Sequence, residues 1–183
     1  MRPNWFIGLP VDPAGWFPDR VPLAPPGTRR FPARDLHLTV AFLGAVEAEA
    51  AQAAWALCRW QGPAIPAGLG PVRGFGNPRQ PSALAAVLEQ GRDPVVALIA
   101  ALRGPLLAAA GARPDPRPPL PHLSLARVQR RATAAQRQRA LAWAASLDLG
   151  GVPLVLDRLA LYTWAEDRER GLFRKVEERV FGG

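Results

Sequence analysis

His37-Leu38-Thr39-Val40-Ala41-Phe42-Leu43-Gly44 holds one of the chain's two histidines, and Pro121-His122-Leu123-Ser124-Leu125-Ala126-Arg127 holds the other. Each stretch reads histidine, aliphatic, hydroxyl, aliphatic. The residues between Leu36 and Leu43 are mostly β-formers and end at Gly44, which predicts a strand; Leu120 to Val128 predicts another. In a strand, residues i and i+2 share a face. His37 then projects with Thr39, and His122 with Ser124. Leu38, Val40, Leu123 and Leu125 point the other way, into a core. An imidazole beside a hydroxyl thus occurs twice, each time on backbone anchored by apolar neighbours.

This set of groups suits phosphoester chemistry. One imidazole can take a proton from a nucleophile while the other, protonated, gives one to a leaving oxygen. Histidine titrates near neutrality, so both forms are accessible. Hydroxyls and arginines can donate hydrogen bonds to non-bridging phosphate oxygens. Two histidines without a cysteine or carboxylate cluster make a poor metal site, so neither metal nor cofactor is expected.

Working outward, the Pro/Gly-rich stretches Pro18–Pro32, Pro63–Pro81 and Pro114–Pro121 read as loops within one compact unit spanning 1–183. Between them, strands are expected at Asn4–Leu9, Ser82–Glu89 and Val152–Trp164. Helices are expected at Glu47–Gln61 and at Asp93–Ala110, the latter kinked or interrupted by Pro105. A third helix starts at Thr133, where Gln136 completes a capping-box pattern. Leu172–Phe181 suits a helix nearly as well as an edge strand. The mixture is α+β, and each half carries a Pro/Arg-rich loop, a histidine strand and an amphipathic helix.

The 183 residues are about half hydrophobic and carry a net charge of +8, with Lys175 the only lysine. Arginine suits bidentate phosphate recognition, and the field favours an anionic ligand. Cys58 is the only cysteine, which excludes an internal disulfide and fits a reducing, cytoplasmic compartment. It shares a helical face with Ala51, Ala54 and Trp55 and reads as a buried small hydrophobe. No apolar run is long enough to span a bilayer.

The two quoted stretches resemble the signature motifs of the 2H phosphoesterases, and within them the RNA 2′,3′-cyclic phosphodiesterase branch historically called 2′-5′ RNA ligase. The resemblance covers essentially the whole chain. It implies a bilobal, pseudo-twofold fold in which two antiparallel sheets with flanking helices enclose a central cleft. It implies metal-free hydrolysis of an RNA 2′,3′-cyclic phosphate, or of a cyclic nucleotide, to a 2′-phosphomonoester by a monomer. By the same resemblance His37 is the proton donor and His122 the acceptor. Thr39, Ser124 and Arg127 contact phosphate, and Phe42 stacks on the terminal base. Regular strand parity puts Phe42 in the core beside Val40; a bulge near Gly44 would re-aim it. The second hydroxyl is serine where threonine is common, a change that keeps the donor. The proline-rich loop before the first motif argues against the helix usual there. Arg34, Arg130 and Arg131 could extend an RNA groove, although solvated surface arginines are the simpler reading. The same groups would serve 2′-5′ ligation or cleavage of 2′-5′ linked oligonucleotides, and a non-catalytic nucleotide- or RNA-binding module is the reading from another class.

Overall fold

The structure, a computed structural model, describes residues 2–77, 80–167 and 170–182. The strands are β1 (Trp5–Pro10), β2 (Thr28–Arg30), β3 (His37–Gly44), β4 (Ile65–Asn77), β5 (Gln80–Gln90), β6 (His122–Val128), β7 (Pro153–Leu156), β8 (Arg158–Trp164) and β9 (Phe173–Val180). The helices are α1 (Ala48–Leu57), α2 (Arg92–Ala109) and α3 (Ala134–Ser146). Strand order is β7-β4-β5-β6-β3-β1-β8-β9, with β2 pairing β6 off this path. Every pairing is antiparallel.

The order is palindromic in kind. Four strands lie on each side of the β6–β3 junction, and each innermost strand carries a histidine. The two halves meet at the register pair Leu38↔Leu123, so the two expected sheets are joined at their histidine strands. Both leucines are completely buried, which makes the junction part of the core. Helices α1 and α2 pack together, α2 also against β3, while α3 packs on β4 and β5.

Several expectations need correction. Pro63–Pro81 is not a loop: most of it forms β4, and residues 78 and 79 lie outside the described residues. Its register slips at three places, one between Leu69 and Val72 around Pro71, and a bulge is where a strand tolerates a residue without an N–H. The 152–164 strand is two strands. β7 pairs with β4, β8 pairs with β1, and the chain crosses between the halves at Asp157. α2 runs uninterrupted through Pro105. Its buried Val95, Leu98, Ile99, Leu106 and Leu107 hold it against the core, and one proline removes only one helical hydrogen bond. α1 stops at Leu57, earlier than expected. The ambiguous 172–181 segment is the edge strand β9, whose five charged residues suit an edge. The expected capping box at Thr133 and Gln136 is present.

Candidate active site

The two histidine strands repeat one geometry. In β3, Ile7 opposes Ala41 while Gly8 opposes Thr39, so Val40 is extra on that strand. In β6, Leu84 opposes Ala126 while Ala85 opposes Ser124, so Leu125 is extra. Each bulge falls immediately after the hydroxyl residue. A bulge reverses the face parity of the residues beyond it. The residue five positions after each histidine therefore turns back to the histidine's side: Phe42 in β3, Arg127 in β6. Phe42 is 58% exposed, so it lies in the cleft and not in the core. The bulge that re-aims Phe42 lies before it, and a second register shift, between Phe42 and Gly44, falls where a bulge near Gly44 was expected.

A cleft of about 570 Å³ is lined by His37, Thr39, Phe42, His122, Ser124 and Arg127. All six candidate residues thus share one cavity. Because β3 and β6 are antiparallel about Leu38↔Leu123, Phe42 and Arg127 stand towards opposite ends, with the histidines and hydroxyls between them. Arg34, Arg130 and Arg131 do not line this cleft; Arg29 does.

The ring orientations are also paired. His37 Nδ1 lies 2.6 Å from the carbonyl oxygen of Asp35, and His122 Nδ1 lies 2.7 Å from that of Leu120. A carbonyl only accepts, so each Nδ1 carries the proton and donates. That leaves Nε2 of each ring for chemistry. Aromatic rings back both imidazoles. Phe6 stacks on His37 at 4.6 Å between centroids, and Phe75 of β4 stacks on His122 at 4.4 Å. Tyr162 and the edge of Phe173 close further sides of His37.

The surroundings are not equal, however. His37 is 7% exposed, and burial among these rings lowers its pKa to about 4. The carbonyl of Asp35 opposes the shift, and the charges of His122 and Arg127 add to it. The unliganded His37 is therefore neutral at pH 7.

Asp35 was not singled out in the sequence. It is completely buried in the 3₁₀ turn Ala33–Asp35 that leads into β3. Its carboxylate accepts the backbone N–H of Leu172 at 2.6 Å and of Phe173 at 3.3 Å. Burial raises its pKa, while those two hydrogen bonds and the charges of Arg34 and Arg29 pull it down. One residue thus holds the His37 ring through its carbonyl and the start of β9 through its side chain. Phe6, Phe75 and Tyr162 were also missed, because apolar residues on strands read first as core. Cys58 is completely buried and its thiol is pushed up to about 11, which makes it inert. Among the described residues no cluster of three or more His, Cys, Asp or Glu could hold a metal ion, and no helix is long and apolar enough to cross a membrane.

Paired histidine–hydroxyl strands meeting at the centre of a two-lobed α+β fold define a 2H phosphoesterase. The chain belongs to the 2′-5′ RNA ligase superfamily, whose family model matches residues 19–168. Among solved structures, E. coli LigT complexed with 3′-AMP is similar over 100% of both chains, with a TM-score of 0.70 at 20% identity. A protein described as a phosphoesterase gives 0.71 at 20% identity over 100% of both chains. TT0787 of Thermus thermophilus gives 0.67 at 21% identity over 98% of both. No curated protein sequence matches the chain.

Proposed function

We propose that the protein hydrolyses RNA 2′,3′-cyclic phosphate ends to 2′-phosphomonoesters, without a metal, using His37 and His122 as its acid–base pair. The observation that carries this reading is the matched pair of imidazoles. Both are locked through Nδ1 to the backbone, and both line one cleft with a hydroxyl two residues on. His122 Nε2 accepts a proton from water as the water oxygen bonds to phosphorus. The bond from phosphorus to the 3′ oxygen breaks, and His37 Nε2–H protonates that oxygen. Thr39, Ser124 and Arg127 donate to the non-bridging oxygens, and Phe42 stacks on the terminal base. Crystal structures of E. coli LigT with 3′-AMP and with phosphate support a nucleotide phosphate as the ligand class here. The single, buried Cys58 suits a reducing compartment, and the reading has the enzyme act as a cytoplasmic monomer.

The role assigned to His37 requires a proton that its burial disfavours in the free protein. The anionic phosphate supplies the compensation, because a negative charge beside an imidazole favours its charged form. Substrate binding therefore loads the acid.

The test is incubation of the purified protein, in EDTA, with a short RNA ending in a 2′,3′-cyclic phosphate. The expected product is a 2′-phosphate. His37→Ala and His122→Ala should each lower turnover by about 10²- to 10⁴-fold. A 3′-phosphate product would reverse the bond that breaks and overturn the assigned roles. Full activity in either variant would overturn the two-histidine mechanism.

A further inference from the structure

The two imidazoles of the cleft are held very differently. His37 is buried and meets three rings, Phe6, Tyr162 and Phe173. His122 is only half-buried. Among the described residues its ring makes one hydrogen bond and one ring contact. The hydrogen bond runs from Nδ1 to the carbonyl of Leu120, and the contact is the stacked face of Phe75, 18° from parallel. Leu120 is half exposed, on backbone that belongs to no helix or strand. Phe75 belongs to β4, where it pairs with Ala83 of β5.

The sequence makes room for this stack. Strand β5 lies between β4 and β6, so a ring on β4 that reaches a histidine of β6 has to cross it. Residues paired on antiparallel strands share a face. Ala83 opposes Arg127 and Ala85 opposes Ser124, so β5 offers that face two successive methyl groups. The backbone before Phe75 is closely seated as well. A Cβ on Gly74 would meet Pro81 Cβ at 2.9 Å and Leu141 Cδ2 of α3 at 3.1 Å. Phe75 does not line the cleft, so it acts on a substrate only through His122.

The hydrogen bond to Leu120 selects which edge of the imidazole faces that carbonyl, but one hydrogen bond leaves the ring free to tilt about it. The flat face of Phe75 removes that tilt. A tilted ring donates poorly from Nδ1, so the proton can move to Nε2, and Nε2–H cannot accept a proton from water.

We infer that Phe75 is the positioning residue of His122: it holds the imidazole plane so that Nδ1 keeps the proton and Nε2 stays free as the base. This inference rests on the proposed acid–base role of His122.

The experiment compares Phe75→Leu, which keeps an apolar side chain without a flat face, with Phe75→Tyr, which keeps the face. For each, kcat and KM are measured per folded molecule on a dinucleotide ending in a 2′,3′-cyclic phosphate. The ¹⁵N spectrum of histidine-labelled protein gives the tautomer; the His122 nitrogens are those that vanish in His122→Ala. In Phe75→Leu kcat should fall about tenfold, a fraction of the roughly 10²- to 10⁴-fold that a positioned base supplies. KM should stay near its wild-type value, and His122 should give mixed tautomers. Phe75→Tyr should restore both kcat and the single tautomer. A ring that only supports the fold would cost stability and leave kcat and the tautomer of the folded molecules alone, and that result would overturn the inference. So would equal losses in the two variants, or a single Nδ1–H tautomer retained in Phe75→Leu. Each of these leaves the two-histidine reading standing as long as His122→Ala is inactive. Full turnover in His122→Ala would overturn that reading, and the role of Phe75 with it.

Discussion

At the level of single residues, the two imidazoles of the cleft are held by backbone carbonyls, and one of these belongs to a buried carboxylate residue. Asp35 is fixed between His37 and the β9 entrance, its side chain accepting two N–H groups at a fully buried position. Truncation strands both donors, at about 1–3 kcal/mol each. Asp35→Ala should therefore lose about 2–6 kcal/mol in urea unfolding, while Asp35→Asn, which keeps one acceptor oxygen, should lose about half as much. The carbonyl that orients His37 stays in both variants but its turn is loosened. With only two histidines in the chain, the ring nitrogens of ¹⁵N-histidine protein can be assigned with His122→Ala. His37 Nδ1 should be the protonated nitrogen in the wild type and give mixed tautomers in Asp35→Ala. An unchanged tautomer would show that Asp35 supports β9 and leaves His37 alone.

At the level of elements, what counts is how close β1 comes to β3. A Cβ added to Gly8 would sit 2.8 Å from the carbonyl oxygen of Leu38 and 3.4 Å from His37 Cδ2. The nearest obstacle is backbone, so the strands themselves have to part. Gly8→Ala should cost about 1–3 kcal/mol, as overpacking does, and should lower kcat more than it raises KM, because the displaced strand carries His37. A loss of stability with unaltered kinetics would mean that the strain relaxes away from the ring. The elements also show what was legible in the sequence. The histidine strands, their paired hydroxyls and the α3 capping box arise from local chemistry that needs no partner. β4 was hidden because its glycines and prolines lower strand propensity, and the structure accommodates them with register slips. Phe75, the ring behind His122, was hidden with it. The bulges at Val40 and Leu125 decide that Phe42 and Arg127 face the cleft, yet a bulge is set by pairing with β1 and β5. No single strand's sequence records it. Asp35 became visible only when the chain brought Leu172 and Phe173 back, 137 and 138 residues later.

At the level of the whole molecule, the cleft is where two halves meet, and its charge balance reaches global stability through His37. Burial lowers that imidazole from 6.5 to about 4. Well above pH 6.5 neither the folded nor the unfolded form binds a proton there, and the native state has its full stability. Between 6.5 and 4 the unfolded chain binds a proton that the folded chain refuses, so stability falls as pH falls. The loss attributable to this group is roughly 3 kcal/mol by about pH 4. Asp35, whose folded pKa is raised, acts in the opposite sense above its unfolded value, so the raw stability profile mixes the two. The difference between wild type and His37→Ala separates them. The cavity left by alanine costs the same at every pH, and only the proton contribution varies. The wild-type advantage should shrink by roughly 3 kcal/mol between about pH 7 and about pH 4 in urea unfolding. Saturating inorganic phosphate should flatten that slope, because an anion in the cleft stabilises the imidazolium. Phosphate binding at neutral pH should also take up a proton, which calorimetry in two buffers of different ionisation enthalpy would register. A slope that phosphate leaves untouched would mean that the anion sits too far from His37 to load it, and the acid would then have to be sought at His122.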